Sequence, residues 1–274
     1  KGVNMLSEIK ILGVKVNNIS LEETYLRTKE LIETSNKSCQ MIFAPNTEFI
    51  MMAQKDEEFY NILRGADLAT PDSVGVMIGG KLQKKPLKQR IPGQMYFRKV
   101  LEVGEKEGWT FYLLGGKDDV PALATENLKK IYPNIKIVGY HEGFFEKDSE
   151  EDVIAEINKL KPNVLFVAMG APIQEKWIEK HKHELNVDVA AGQGGTFDYE
   201  AGKIKNTVMP PPWQPITKGV RKMLDIRKIK ENPDAVKAGL KAKEVDCDAV
   251  IDRILELDVE IRALKTSSES RTAQ

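Results

Sequence analysis

Little in this chain of 274 residues points to a metal site, a membrane span or a nucleic-acid surface. It carries two cysteines, Cys39 and Cys247, far apart in sequence. That spacing offers neither a disulfide framework nor a metal knuckle, so a reducing, cytoplasmic setting is expected. Histidines number three: His141, His181 and His183. The last two lie two positions apart, on different sides of a helix, and do not make a metal-binding triad. Lys plus Arg and Asp plus Glu are equal at 41 each. The whole-chain balance therefore gives no reason to expect nucleic acid or an anionic surface as partner. No apolar run approaches the roughly 20 residues of a spanning helix. No signal-peptide pattern precedes Met5.

What is present is alternation. From Ile9 to Val189 short apolar runs ("IKILG", "CQMIFA", "DLAT", "TFYLLGG", "IKIVGYH", "NVLFVAMG", "VDVAAG") are separated by segments of helical period, among them Leu21–Thr34, Gly93–Glu107, Val120–Tyr132 and Ser149–Leu160. Strand, helix, strand at this spacing predicts a parallel sheet covered on both faces. Several runs end in glycine or alanine just before a helix, as in "LLGGKDD", "AMGAPIQ" and "AAGQGG". In such sheets ligands collect at the carboxyl ends of the strands, where helix N-termini can receive phosphate.

The character then changes. "NTVMPPPWQPITKG" contains Pro210, Pro211, Pro212 and Pro215, which suit neither helix interior nor central strand. Beyond it the chain is charged and of helical period, with a narrow apolar stripe Val250, Ile254, Leu257, Ile261 and Leu264 suited to pairing with another helix. The expected organisation is residues 1–206 as an α/β domain, 207–222 as a proline-rich linker and 223–274 as a helical segment.

Six stretches can bear chemistry. In "FAPNTEF", Asn46 follows a strand and either caps the next helix or turns its amide to a cleft. In "TPDSVGV", Asp72 stands at a second strand end. A cap is the reading that spacing alone favours, and a general base is the alternative. In "KQRIPG", Arg90 is able to meet a diphosphate in bidentate fashion. In "GGKDD" and "AMGAPIQEKWI", Gly115 and Gly170 sit at strand–helix turns. Gln174 is expected in the first turn of the following helix, in reach of a sugar or uracil edge, while Lys176 and Trp177 are assigned to surface and packing. Gly194 and Gly195 in "GQGGTFDYEAGKIK" suggest positive φ or close ligand approach.

Taken together and in order, "PNTE", "TPDSVGV", "QRIPG", "YLLGGK", "GYHEGFF", "GAPIQEKWI" and "GGTFDYEAGKIK" resemble the WecG/TagA/CpsF glycosyltransferases, glycosyltransferase family 26, over about Ile9 to Lys205. The resemblance implies a Rossmann-like fold and a metal-free, cofactor-free inverting transfer. The implied reaction moves N-acetylmannosamine from its UDP donor to undecaprenyl-diphosphate-linked N-acetylglucosamine, at the cytoplasmic face of the membrane, in teichoic acid or related polysaccharide synthesis. It implies Asp72 as catalytic base, with Asn46, Arg90, Gln174, Gly115, Gly170 and Gly195 on the substrates. Two departures concern substrate detail: Ala44 stands where relatives commonly carry threonine, and Met95 where many carry a carboxylate. Residues 223–274 resemble instead the start of seryl-tRNA synthetase, without an aminoacylation domain or the second coiled-coil strand, so tRNA is not an expected partner. The basic appendage with which the family continues is replaced by this segment. Reduced activity and doubtful membrane contact are therefore expected. Alternatives are transfer of another sugar such as glucose, or a nucleotide-sugar-binding or assembly module without activity, in which the helical segment makes a homo-oligomer.

Overall fold

The computed structural model describes residues 7–35, 38–145, 147–204 and the single position 234. The chain divides into two compact units, Lys1–Lys205 and Asn206–Gln274. Every helix and strand with defined bounds belongs to the first. The expected linker and helical segment lie outside the described residues.

The chain opens with β1 (Glu8–Ile11) and β2 (Val14–Asn17), followed by α1 (Leu21–Thr34), β3 (Gln40–Phe43), α2 (Thr47–Ala53), α3 (Glu57–Gly65), β4 (Leu68–Ala69) and α4 (Val74–Leu82). Then come α5 (Gly93–Glu107), β5 (Thr110–Gly115), α6 (Val120–Ile131), β6 (Lys136–His141), α7 (Lys147–Leu160), β7 (Val164–Ala168), α8 (Ile173–His181), β8 (Val189–Gly192) and α9 (Thr196–Glu200). Among the described residues six strands form one sheet in the order β4-β3-β8-β7-β5-β6, all neighbours parallel.

The sheet is buried on both sides, and its side chains alternate between two cores as a period of two demands. Phe111, Leu113, Phe166 and Ala191 face the core built with α1, α5, α6 and α9. Tyr112, Leu114, Leu165, Val167 and Ala190 face the one built with α2, α3, α7 and α8. The predicted parallel sheet is therefore present, with one correction. The first run, "IKILG", is not part of it. It pairs antiparallel with β2, Ile11 opposite Val14. The two residues between them, Leu12 and Gly13, have φ of 46° and 82°. Two successive positive φ values make a tight hairpin of the primed kind and turn the chain back at once, leaving no length for a crossover.

Local chemistry sets the helix ends. Ser20 begins α1 with a capping box: its hydroxyl accepts from Glu23 N, and Glu23 Oε2 accepts from Ser20 N at 2.8 Å. Gly108, in the left-handed region, closes α5. Helix α4 is inverted in polarity. Added Cβ atoms on Gly75, Gly79 and Gly80 would come within 2.9–3.0 Å of Thr47, Ile11 and the Lys85 carbonyl, so the glycines face inward. Val74, Ile78 and Leu82 are left exposed. The small residues let α4 lie close to α2 and to the hairpin, which brings the start of α4 beside the start of α2.

Candidate active site

Two strand ends converge first. Asn46 follows β3 and caps α2, its Oδ1 accepting from Phe49 N at 2.9 Å. The same side chain also favours the ionised form of the Asp72 carboxyl. One side chain thus ends a helix and supports the charge of an acid. Asp72 follows β4, and its backbone N–H reaches Pro45 O at 3.4 Å, tying the two loops together.

Asp72 does not cap α4. That role falls to Ser73, whose Oγ accepts from Val76 N at 3.3 Å and from Thr47 N at 3.2 Å. The carboxylate is therefore released from the structural duty that spacing alone favoured for it. It is half-buried, and loss of solvent lifts its pKa from the usual carboxylate range to about 6. Two influences hold it down against that rise: the positive charge of Arg90 and the hydrogen bond from Asn46. Arg90 is delivered by the segment after α4, which is fastened to β4 through Ile91 N donating to Pro71 O at 2.7 Å. Asp72, Asn46 and Arg90 are brought together.

The second cluster lies at the ends of β7 and β8, and β8 is the direct neighbour of β3. After β7 the chain passes through Gly170, at φ 79° and where an added Cβ would meet nothing within 4 Å, and a cis Ala171–Pro172 peptide into α8. Gln174 and Glu175 are 2% and 1% exposed in the first turn of that helix. Gln174 does not point outward to a ligand edge. Its Nε2 donates to Glu175 Oε1 at 2.7 Å, and its Oε1 accepts from Gly194 N at 2.9 Å. Gly194 has φ 51°, and a Cβ added there would meet nothing within 4 Å. Its turn continues through Gly195, which caps α9 with φ −81°.

Sequence reasoning did not single out Glu175, because an acid in a first helical turn is already accounted for by the helix dipole. Its burial shows only in the fold. Loss of solvent raises its pKa to about 7, with the Gln174 hydrogen bond as the main opposing effect. Gly115 has a packing role: a Cβ there would lie 2.3 Å from Ala168 O across the β5–β7 pair, at φ 136°. Lys176 pairs at the surface with Asp56 and Glu58, and Trp177 is buried, donating Nε1 to Glu150 at 2.9 Å. No group of three His, Cys, Asp or Glu side chains comes together as metal ligands among the described residues. No helix of those residues is long and apolar enough to cross a membrane.

A doubly wound sheet of this kind, with open glycine turns and an ionisable carboxylate beside an arginine along its carboxyl edge, defines a Rossmann-like α/β enzyme. The chain belongs to the WecG/TagA/CpsF family of glycosyl transferases, whose family model matches residues 9–214. A second model, for the seryl-tRNA synthetase N-terminal domain, matches residues 223–274, so the chain is a chimera of two unrelated segments.

Among characterised proteins it is similar to the N-acetylglucosaminyldiphosphoundecaprenol N-acetyl-beta-D-mannosaminyltransferases of Bacillus subtilis and Bacillus spizizenii. It is 33% identical to the first over 63% of this chain and 66% of the relative. To the second it is 35% identical over 68% of each. The enzyme of the same name from Staphylococcus aureus is 28% identical over 73% of this chain and 78% of the relative. The chain thus spans about two thirds of the length of the two Bacillus relatives.

Proposed function

We propose that the α/β unit transfers N-acetylmannosamine from UDP-N-acetylmannosamine to the hydroxyl of a polyprenyl-diphosphate-linked N-acetylglucosamine, with inversion at the anomeric carbon. The acceptor is lipid-linked, so the reaction belongs at the cytoplasmic membrane face. The acceptor oxygen attacks C1 of the donor sugar while the C1–O bond to the diphosphate breaks. UDP leaves with the bonding electron pair, and the hydroxyl proton passes to the Asp72 carboxylate. Arg90 supplies positive charge for the leaving diphosphate. The open turns at Gly170 and Gly194–Gly195 let donor phosphates approach backbone N–H groups. Gly115 shapes the neighbouring strand end, and Gln174 acts through the Gly194 turn.

The observation that carries this reading is the state of Asp72. It is excused from capping by Ser73, supported in its ionised form by Arg90 and Asn46, and lifted to a pKa of about 6. Such a group is ionised at neutral pH and is a better proton acceptor than an exposed aspartate. The test is turnover of UDP-N-acetylmannosamine on a short-chain lipid-diphosphate acceptor, wild type beside Asp72→Asn, with calorimetric UDP binding on both. Turnover by wild type alone, with UDP bound by both, is the expected result. Equal turnover by the variant removes Asp72 as the base. UDP binding by both with no turnover favours the binding-module alternative or a different donor sugar.

A further inference from the structure

Glu175 has no part in the chemistry above, yet it is among the most buried charged residues of the unit, at 1% exposure. Its surroundings are specific. One oxygen, Oε1, accepts from Gln174 Nε2 at 2.7 Å. The other, Oε2, is buried with no hydrogen-bond partner, as is Oε1 of Gln193. The Gln174–Glu175 pair is pressed against the end of β8, where a Cβ on Gly192 would fall 2.8 Å from both Gln174 Nε2 and Glu175 Oε1. Only glycine at 192 leaves the pair its space.

The two ends of a glutamine amide are opposite in hydrogen-bonding sense. Gln174 can hold the Gly194 N–H only with its oxygen toward Gly194, and then its NH2 group needs an acceptor on the other side. Glu175 Oε1 is that acceptor. Were the amide turned over, two donors would meet at the partly buried Gly194 N–H and two oxygens at the buried Glu175. A buried acceptor at 175 therefore fixes which way Gln174 faces.

We propose that Glu175 is a positioning residue for the donor site: through the orientation of the Gln174 amide it holds the Gly194–Gly195 turn in the conformation that receives the nucleotide sugar. The proposal rests on the transferase reading for its ligand, but its mechanical part does not. The requirement is for an acceptor oxygen at 175 and not for a negative charge. Glutamine can supply the oxygen and methionine cannot, although all three side chains are of similar length.

The experiment compares wild type, Glu175→Gln and Glu175→Met in the full chain. It measures amide hydrogen exchange at Gly194, calorimetric UDP affinity, and kcat and donor KM separately. Losing one buried hydrogen bond should speed Gly194 exchange in Glu175→Met and weaken UDP binding and donor KM by about tenfold. kcat at saturating donor should stay close to wild type. Glu175→Gln should restore exchange, affinity and KM. Gly192→Ala, which drives a methyl into the same pair without removing Glu175, should reproduce the Gly194 exchange of Glu175→Met and stands in for it if that variant does not fold.

Unchanged Gly194 exchange and UDP affinity in Glu175→Met would overturn the proposal. So would a Glu175→Gln variant as impaired as Glu175→Met, since the carboxylate itself would then be what matters. If wild type binds no UDP, the transferase reading fails, while Gly194 exchange across the variants still decides the positioning role.

Discussion

Replacing Asp72 by asparagine should stabilise the α/β unit while stopping its chemistry. The carboxyl has a pKa of about 6 in the fold against an ordinary 3.8, chiefly because it has lost solvent. Two pK units correspond to roughly 3 kcal/mol of preference for the neutral form. Solvent still reaches this half-buried group, and screening reduces the figure to about 1–2 kcal/mol. The sign follows from linkage. Below about pH 4 both folded and unfolded states bind the proton and the carboxyl costs nothing. Between about pH 4 and 6 the unfolded chain gives up its proton first, and the fold loses stability as pH rises. Above pH 6 the cost is complete. An asparagine is neutral throughout, can still meet Asn46, and leaves the Ser73 cap in place. The variant should therefore melt about 2–8 °C above wild type at pH 8 and at the same temperature at pH 4. Loss of a general base should lower turnover by about 10²-fold or more. Melting curves at both pH values and the transfer assay check this. A variant less stable than wild type at pH 8, or a gain that is the same at pH 4, would refute the account of Asp72 as a carboxylate held in an unfavourable setting.

The same balance governs pH dependence: turnover should fall away below about pH 6, the Asp72 value. Asn46→Ala and Arg90→Gln each remove an influence that holds this pKa down, so the acid limb of the rate profile should move to higher pH in both, further for Arg90→Gln because its charge is the larger of the two. Glu200, 5% exposed on α9, is gripped by Arg98 of α5 through Nε at 3.0 Å and Nη2 at 3.1 Å. Arg98→Ala leaves that carboxylate buried without a counter-charge, with only Gln94 Nε2 at 3.4 Å still donating to it, and should cost about 2–4 kcal/mol in urea unfolding, whereas Arg98→Ala paired with Glu200→Gln should recover much of the loss. The inverted polarity of α4 predicts that Ile78→Ser, at an exposed aliphatic, changes stability by less than about 0.5 kcal/mol. Gly79→Val, at an inward glycine whose Cβ would sit 3.0 Å from Ile11, should instead cost about 1–3 kcal/mol.

How much of this could be read in advance depended on whether the signal was local. The bounds of α1 and α5 coincide with the predicted Leu21–Thr34 and Gly93–Glu107. Ser20 ahead of Glu23, and Gly108 behind Glu107, are end signals that act within one helical turn. The buried strands were legible because a parallel sheet covered on both faces needs continuous apolar runs. The β1–β2 hairpin was not legible, because Leu12 is not a residue that advertises positive φ. At the site, Asp72 and Ser73 are adjacent and both are capping residue types. Which one turned to the helix depended on Thr47 arriving from another element to meet Ser73. The inward turn of Gln174 was likewise hidden, since it depends on Gly194, twenty residues further on, returning beside it.

The two strand-end clusters also differ in how well each perturbed acid suits the role of base proposed for the transfer. Asp72 and Glu175 are both pushed upward by loss of solvent, to about 6 and about 7. Asp72 has a cation, Arg90, and an amide donor facing it, so its ionised form is supported where charge must develop. Glu175 has only neutral N–H groups to support it, those of the Gln174 amide and of its own backbone, and its Oε2 has no hydrogen-bond partner. The first, with a cation to support its charge, is suited to take a proton, while an oxygen of the second can accept a hydrogen bond in either protonation state. Carboxyls that follow two strands of one sheet, β4 and β7 with β3 and β8 between them, thereby differ in what supports their charge, a cation for one and neutral N–H groups for the other.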